Sequence, residues 1–153
     1  AEHTLMMPLM AVRRMKLILG LAKDHSLERS AGRQLAEMTV GIMAQGDWLE
    51  DRPSIATLWL RVLVYDILPD PQLNDIVEFL NLETLFNDDA IILHVPALPV
   101  NHHMIDAKQF AMMCDGVLLI TCARGELIRT GALDAIGSGK VRALQLTLLG
   151  DDH

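Results

Sequence analysis

Short apolar runs recur along the chain, separated by polar, glycine or proline residues. A run without polar alternation predicts a strand that is buried on both faces, as in a parallel sheet covered by helices. The predicted strands are Met38 to Met43, Arg61 to Tyr65, Ala90 to Val95, Val117 to Thr121 and Val141 to Leu149, with a weaker one at Asp75 to Phe79. Helical segments lie between them, so the pattern predicts an α/β fold, a doubly wound parallel sheet flanked by helices.

Three segments between the strands suit helices, namely Glu83 to Asn87, Ala107 to Met113 and Glu126 to Ser138. Either Gly137 or Gly139 can adopt the left-handed conformation that ends the last of them. The segment Gly137-Ser138-Gly139-Lys140 looks like the end of a phosphate-binding loop, but it follows a helix rather than a strand. We therefore interpret it as a helix stop.

The first segment, from Ala1 to about Lys23, is apolar around most of the circumference of a helix. One side is expected to face the sheet. The other side faces either a second subunit, which gives a homodimer through Ala1 to Leu21, or more of the chain's own core. Pro8 is expected to kink or break this helix unless it lies in the first turn.

Length, composition and charge exclude several classes of protein. With 153 residues, 51% hydrophobic and 22% charged, the chain suits a single domain over residues 1–153 and is not disordered by composition. No apolar stretch approaches the roughly 20 residues of a membrane span. The net charge of -7 disfavours nucleic acid. The one basic cluster, Arg13, Arg14 and Lys16, is interpreted as a solvated helix face, so neither a membrane nor a nucleic acid is expected as a partner.

Cysteine usage bears on the compartment and on metal binding. Cys114 and Cys122 are the only cysteines, and both are expected to be buried thiols in a reducing compartment. The apolar run precedes the basic cluster at the N-terminus, the reverse of a secretory signal, so a cytoplasmic location is expected. No metal is expected at His102 and His103, because neighbours on an extended segment point in opposite directions and no third ligand is evident.

The residues that follow each strand are the candidates for chemistry, since ligands of open parallel sheets bind beyond the carboxyl ends of the strands. Asp66 follows the second strand and could accept both hydroxyls of an adenosine ribose, although aspartate also starts turns for local reasons. Arg124 follows the fifth strand beside Gly125 and could hold a carboxylate through two hydrogen bonds. A surface ion pair is the alternative for Arg124.

Several segments form a pattern that is specific only when they are taken together and in order: Thr39-Val40-Gly41-Ile42, Arg61-Val62-Leu63-Val64-Tyr65-Asp66, His94-Val95-Pro96, Asn101-His102-His103-Met104-Ile105, Gly116-Val117-Leu118-Leu119-Ile120, Ala123-Arg124-Gly125-Glu126-Leu127-Ile128 and Ser138-Gly139-Lys140-Val141. In this pattern the sequence resembles the NAD-dependent D-2-hydroxyacid dehydrogenases, which include D-lactate, glycerate and phosphoglycerate dehydrogenases. The resemblance covers nearly the whole chain. It implies a Rossmann-like fold, NAD as cofactor and a 2-hydroxy or 2-keto acid as substrate.

The resemblance also implies roles for individual residues. Arg124 matches the arginine that binds the substrate carboxylate and carbonyl, and Asp66 matches the acid that binds the adenosine ribose. The positions that match the lining of the family's cofactor cleft are Val95, Pro96, Asn101, Cys122 and Ala123. In such enzymes a histidine acts as general acid and base, and a glutamate holds that histidine.

The sequence departs from the family in its glycine-rich turn. The GxGxxG pattern aligns with Ala44-Gln45-Gly46-Asp47-Trp48-Leu49, so only its middle glycine, Gly46, remains. Asp47 also brings a negative charge to the place where a helix N-terminus would attract a diphosphate. Weakened cofactor binding is therefore expected.

The last residues depart from the family as well. Thr147 aligns with an aspartate that contacts the nicotinamide amide, and Asp152 aligns with the catalytic glutamate but is shorter by one methylene. His153 does not match the catalytic histidine, which the family carries further on, and the substrate-binding domain is expected to be absent.

Two hypotheses follow from these matches and departures. In the first, the chain is the NAD-binding domain of a D-2-hydroxyacid dehydrogenase and contributes Arg124 and Asp152 to catalysis. In the second, it is a non-catalytic, truncated or redesigned Rossmann-like module with impaired NAD binding. Whether the chain is an enzyme is left open, and no appreciable turnover is expected of the chain by itself.

Overall fold

Strands and helices alternate along the chain in the computed structural model, which describes residues 2–15, 19–20, 23, 33–44, 61–75, 77–121, 125–129 and 132–146. The strands are β1 (Thr39–Ala44), β2 (Arg61–Asp66), β3 (Glu78–Phe79), β4 (Ala90–His94), β5 (Val117–Thr121) and β6 (Val141–Leu146). The helices are α1 (Glu2–Val12), α2 (Leu82–Leu85), α3 (Ala107–Met112) and α4 (Ala132–Gly137). Short 3-10 turns are formed by Leu35–Glu37, Pro71–Leu73 and Gly125–Leu127.

The six strands form one sheet in the order β3-β2-β1-β4-β5-β6, and every neighbouring pair is parallel. The strand order reverses between β1 and β4, because the chain builds outward from β1 to β3 on one side and from β4 to β6 on the other. Val40 of β1 pairs with Val62 of β2 and with Ala90 of β4. This arrangement confirms the predicted doubly wound, Rossmann-like parallel sheet.

The central strands are buried on both faces, as their continuous apolar character predicts. On one face a first cluster joins Met43, Ile91 and Leu119 to side chains of α2, α3 and α4. On the other face a second cluster joins Val40, Ile42 and Ile120 to Ala11 and Val12 of α1. Burial of this apolar surface on two faces is the main stabilising contribution to such a sheet.

Gly41 allows β1 and α2 to approach closely. A Cβ atom at this position would lie 2.5 Å from Oδ2 of Asp88 and 2.7 Å from Cγ of Leu85, which is too close for either neighbour to keep its place. The strand position therefore requires glycine for reasons of space, since its φ is not in the left-handed region.

The predicted helix from Glu126 to Ser138 is wrong in its first part. The chain forms a 3-10 turn at Gly125–Leu127, and Ile128 then makes an isolated parallel bridge with Ile105 before α4 begins. Through this bridge Ile128 is buried and its neighbours form backbone hydrogen bonds with Ile105, which a continuous helix would not allow. At the other end of α4 the helix stop is confirmed, with Gly139 at a φ of 80°.

Two other expectations are corrected. Pro8 lies inside α1 and does not break it, because the helix continues to Val12; Arg14, just after the helix, has a φ of 52°. Cys114 is exposed rather than buried, and its thiol donates a hydrogen bond to the carbonyl of Asn87 over 3.0 Å. Cys114 lies directly before the turn that leads into β5.

Candidate functional site

The carboxyl ends of β2, β1 and β4 lie side by side. Ala44 pairs with Asp66 on one side and with His94 on the other. Neighbouring strands are about 4.8 Å apart, so the backbones at Asp66 and His94 are roughly 10 Å apart with Ala44 between them. The strand order reverses at this point, which is where parallel α/β sheets open a crevice for a ligand.

Asp66 is half-buried at the end of β2, and one of its roles is local. Its Oδ1 accepts a hydrogen bond from the backbone N–H of Leu68 over 3.0 Å, the geometry of an Asx turn. The side chains of Ile67 and Leu68 are exposed beside it. The structure thus fits the turn-starting interpretation of Asp66, and it also places Asp66 beside the point where the strand order reverses, so the two interpretations are compatible.

His94 is half-buried at the end of β4, on the other side of the point where the strand order reverses. Its Nδ1 atom is buried and has no hydrogen-bond partner within the described ranges. A buried polar atom without a partner is unfavourable unless water or a ligand satisfies it. His94 therefore places an unsatisfied nitrogen, counted over the described residues, at the carboxyl end of β4.

The loop after β4 contains three residues predicted to line the cofactor cleft. Val95 is buried and Pro96 is exposed. Asn101, half-buried, returns its side chain to the start of the loop. Its Nδ2 donates to the carbonyl of Pro96 over 2.8 Å, and its Oδ1 accepts from the N–H of Leu98 over 2.7 Å.

A short backbone ladder joins the loop after β4 to the segment after β5. The N–H groups of His103 and Ile105 donate to the carbonyls of Glu126 and Leu127 over 2.9 and 3.0 Å, and the N–H of Arg129 donates to the carbonyl of Ile105 over 2.9 Å. Ile105 and Leu127 are fully buried. The segment that begins with Gly125 is therefore fixed against the loop that contains Asn101.

Six of the predicted site residues lie outside the described residues: Gly46, Cys122, Ala123, Arg124, Thr147 and Asp152. Asp66, Val95, Pro96 and Asn101 are described, and all four stand at or just after the carboxyl ends of β2 and β4. The four predicted residues that the structure describes thus lie on the side of the sheet where the strands end.

The expectation for His102 and His103 is corrected in its geometry. Their ring centroids are 3.8 Å apart, because His103 has a φ of 56° and turns the chain, so the two side chains lie together rather than on opposite sides. Both are exposed. Within the described part of the chain no group of three or more histidine, cysteine or acidic side chains is arranged to hold a metal ion.

A buried carboxylate lies at the opposite end of the sheet, where the strands begin. Asp88 is 5% exposed, and its Oδ2 has no hydrogen-bond partner among the residues described. Burial raises the pKa of Asp88 from 3.8 to about 6, which outweighs the opposing effect of a hydrogen bond with Thr39. Burial would also raise the pKa of Asp89, but hydrogen bonds from Arg33 and Thr39 hold that pKa below its usual value.

Comparison with known proteins identifies the family. The model of the D-isomer specific 2-hydroxyacid dehydrogenase NAD-binding domain matches residues 5–147. The chain belongs to this family. It is therefore an NAD-binding domain of the D-2-hydroxyacid dehydrogenases, as its sequence predicts, and the fold described above is the fold of that domain.

Curated relatives extend the identification. D-lactate/D-glycerate dehydrogenase of Pediococcus acidilactici is 37% identical over 127 residues, which are 80% of this chain and 38% of that protein. D-lactate dehydrogenase of Leuconostoc mesenteroides subsp. cremoris is 35% identical over 151 residues, which are 92% of this chain and 44% of that protein. The chain thus spans less than half the length of these D-2-hydroxyacid dehydrogenases.

Solved structures agree with the fold. D-lactate dehydrogenase of Aquifex aeolicus, complexed with NAD and lactic acid, superposes with a TM-score of 0.88 and 32% identity, covering 98% of this chain and 47% of that chain. D-2-hydroxyisocaproate dehydrogenase superposes with a TM-score of 0.86 and 28% identity, covering 94% and 45% of the two chains. Among the described helices of this domain, none combines the length and apolarity needed to cross a membrane.

Two features of the site were not predicted from the sequence. His94 was identified as a strand end but not as a site residue, although its pairing with Ala44 follows from the strand order once β1 and β4 are recognised as neighbours. The hydrogen bonds of the Asn101 side chain had no sequence signal beyond the two prolines of the loop, Pro96 and Pro99, which lack N–H donors.

Proposed function

We propose that the chain supplies the cofactor-binding part of an oxidoreductase that transfers hydride between NAD(H) and a 2-hydroxy or 2-keto acid. The observation that carries the proposal is the position of Asp66 at the end of β2, beside the reversal of strand order between β1 and β4. A carboxylate there can accept hydrogen bonds from both ribose hydroxyls of NAD and disfavours the additional phosphate of NADP.

The remaining residues have matching roles in this proposal. In it, the residues that would line the cofactor cleft are Val95, Pro96, Asn101, Cys122 and Ala123, and Gly46 would let the backbone approach the pyrophosphate. Thr147 would contact the nicotinamide amide. When bound, NAD supplies the hydride chemistry, while the protein supplies orientation and electrostatics.

The substrate is held by Arg124 in this proposal. A guanidinium can bind a carboxylate with two parallel hydrogen bonds and also polarise the neighbouring carbonyl, which fits a 2-keto acid. Asp152 retains the carboxylate that would orient a histidine acting as general acid and base. The relative from Aquifex aeolicus, complexed with NAD and lactic acid, supports this substrate class.

A calorimetric titration of NADH into the purified chain tests the proposal, with Asp66→Ala and Asp66→Asn as variants. Asp66→Asn retains an oxygen that can accept from Leu68, so it preserves the turn while it removes the charge. We expect both variants to bind NADH roughly tenfold to a hundredfold more weakly, because hydrogen bonds to a charged group contribute about 1.5 to 3 kcal/mol. Unchanged affinity in both variants would contradict the ribose role.

The second candidate function is a non-catalytic Rossmann-like module with impaired NAD binding. It is favoured by the glycine-rich turn, in which Ala44 and Leu49 replace two glycines and Asp47 adds a negative charge. Absence of NADH binding up to millimolar concentration in a folded sample would support this candidate. NADH-dependent reduction of pyruvate or a longer 2-keto acid by the purified chain would refute it.

Two further parts of the proposal concern assembly and location. A homodimer through Ala1 to Leu21 is supported by the exposed apolar side chains of Met6, Leu9 and Leu19 on the first segment, whose other side packs on β5 and β6.

A cytoplasmic location is supported by a sequence with two cysteines and no disulfide framework.

A further inference from the structure

A small cleft lies where the end of α1 meets the first residues of β1, β5 and β6, on the side of the sheet where the strands begin. Its apolar walls are the buried side chains of Ala11, Val12, Met38 and Leu118. Gly116 and two arginines, Arg33 and Arg142, complete the lining. The enclosed space is about 10 Å³, which is room for one water-sized group.

Arg142 is exposed and has no ion pair or hydrogen bond through its side chain within the described residues. Nη2 and Cζ of its guanidinium lie 3.5 and 3.9 Å from the position that a Cβ atom of Gly116 would take. The N–H of Gly116 donates to the carbonyl of Lys140 over 2.9 Å, so the backbone beneath the guanidinium is fixed. The neighbouring cation, Lys140, is paired with Asp115 over 2.9 Å. The N–H groups of Arg142 are therefore available to a ligand.

Arg33 has used only part of its hydrogen-bonding capacity. Its Nη1 donates to Oδ1 of Asp89 over 2.6 Å and its Nη2 to the carbonyl of Glu37 over 3.2 Å, which leaves three of the five donors of an arginine. Asp89 would repel an anion, but its Oδ2 accepts from the N–H of Thr39 over 3.0 Å, so both of its oxygens are engaged. The carboxylate of Glu37 is exposed to water, which screens it.

The C-terminal end of α1 offers another explanation for the two arginines, because cations are favourable where a helix ends. One of the last carbonyls, that of Ala11, already accepts from the N–H of Arg14 over 3.1 Å. Neither Arg33 nor Arg142 donates to α1 among the contacts of the described residues. Helix capping therefore does not account for their position. Beside apolar walls, guanidinium groups bind an anion with less competition from water.

We propose that this cleft binds a small oxyanion, a phosphate or a carboxylate, between Arg142 and Arg33. The water-sized space admits one oxygen atom, and the other oxygens face the guanidinium groups, whose planar forks suit them. The site lies at the opposite end of the strands from Asp66 and His94, roughly 15 to 20 Å away for strands of this length. It is therefore separate from the crevice proposed for the cofactor and does not rest on the proposed function.

Titration of the purified chain with sodium phosphate and, separately, with sodium acetate tests the proposal. The amide signals of Gly116 and Leu118 are followed by NMR, and sodium chloride keeps the ionic strength constant, so that screening does not change during the titration. We expect both signals to shift and saturate, with a dissociation constant on the order of millimolar. Saturation by phosphate alone would identify a phosphate site, and saturation by acetate alone a carboxylate site. Absence of saturation by either anion up to about 50 mM would overturn the proposal.

Arg142→Gln is the main variant, because the exposed side chain has no described partner whose loss would disturb the fold. We expect it to weaken anion binding at least about tenfold, since it removes a fork of charge-assisted donors. Arg142→Lys retains the charge without the fork, so a smaller loss is expected. The matched control is Arg129→Gln, which removes the same charge from an exposed arginine whose backbone is bonded to Ile105, and which is expected to leave the affinity unchanged.

The comparison of these variants separates a site from a general effect of charge. Unchanged affinity in Arg142→Gln would show that the anion binds elsewhere, and equal losses in Arg142→Gln and Arg129→Gln would show that only net charge matters. Either result would overturn the proposal. The amide signals of β1 and β4 show in the same spectra that each variant is folded.

Discussion

Asp88 is almost completely buried, and its Oδ2 has no hydrogen-bond partner in the described part of the chain, so its ionised form is unfavourable in the folded protein. Its pKa is raised to about 6 when folded, and an unfolded aspartate has a pKa near 3.8. The folded protein therefore binds the proton of Asp88 more tightly than the unfolded chain does. The stabilisation that results is fully present below about pH 4 and is lost as the pH rises through about 6.

Asp88→Asn removes this titration, so the variant is expected to gain stability relative to the unaltered chain as the pH rises. Between pH 4 and pH 8 we expect the difference in unfolding free energy to change by the order of 1 to 3 kcal/mol in favour of the variant. Urea denaturation at several pH values measures it. If the difference in unfolding free energy between the two proteins does not change with pH, the raised pKa of Asp88 is contradicted.

Asp89→Asn serves as a control, because its effect on stability is expected to change with pH in the opposite direction. Hydrogen bonds from Arg33 and Thr39 lower the pKa of Asp89, although burial alone would raise it. Its charged form is therefore favoured in the folded state, and its stabilising contribution is lost as the pH falls through its lowered folded pKa. The asparagine variant should thus become less stable than the unaltered chain as the pH rises from the acid range.

At the scale of elements, the packing of β1 against α2 depends on Gly41. Gly41→Ala would bring a methyl group within 2.5 Å of Asp88 and 2.7 Å of Leu85, so the neighbours must shift. We expect a loss of about 1 to 3 kcal/mol of unfolding free energy, typical of overpacking. Urea denaturation at one pH measures it.

Gly137→Ala is the matched control for this prediction. Gly137 lies in α4, and a Cβ atom there would meet nothing within 4 Å. Alanine is the better helix former, so this variant is expected to be as stable as the unaltered chain or more stable by up to about 1 kcal/mol. Equal effects of the two alanines would show that close packing at Gly41 is not the cause.

The strands and helices could be predicted from the sequence where neighbouring residues in the chain determine them. Continuous apolar runs predicted the strands well, because a strand that is buried on both faces is apolar at nearly every position. The strand Val117–Thr121 has the same bounds as its prediction. The bridge between Ile105 and Ile128 could not be predicted, since it depends on two loops that meet only in the fold. The same holds for the facing rings of His102 and His103, whose arrangement follows from one left-handed residue.

At the scale of the whole molecule, the proposed homodimer gives a direct prediction. We expect Met6→Asp and Leu9→Asp to convert a dimer to a monomer at micromolar concentration, because a charge would be buried against an apolar surface. Light scattering measures the mass. The control is Ile136→Asp on α4, which is 37% exposed, as Leu9 is. A single-chain mass for the unaltered protein would contradict the homodimer.

The site could be predicted from the sequence as a location but not as a set of contacts. Asp66 was identified as a candidate because ligands of parallel sheets bind beyond the carboxyl ends of the strands, whereas Pro96 was identified only through the resemblance to the family. The two hydrogen bonds of the Asn101 side chain within its own loop, over 2.7 and 2.8 Å, could not be predicted, because they depend on the folded shape of the loop.

The pairing of β1 with β4 also has a kinetic consequence. Val40 and Ala90 are neighbours in the sheet although they are fifty residues apart in the chain, so their contact closes the longest loop between adjacent strands. Non-local pairing of this kind slows folding. The reversal of strand order forms only when the two halves of the sheet join, so Asp66 and His94 reach their places on either side of Ala44 late in folding.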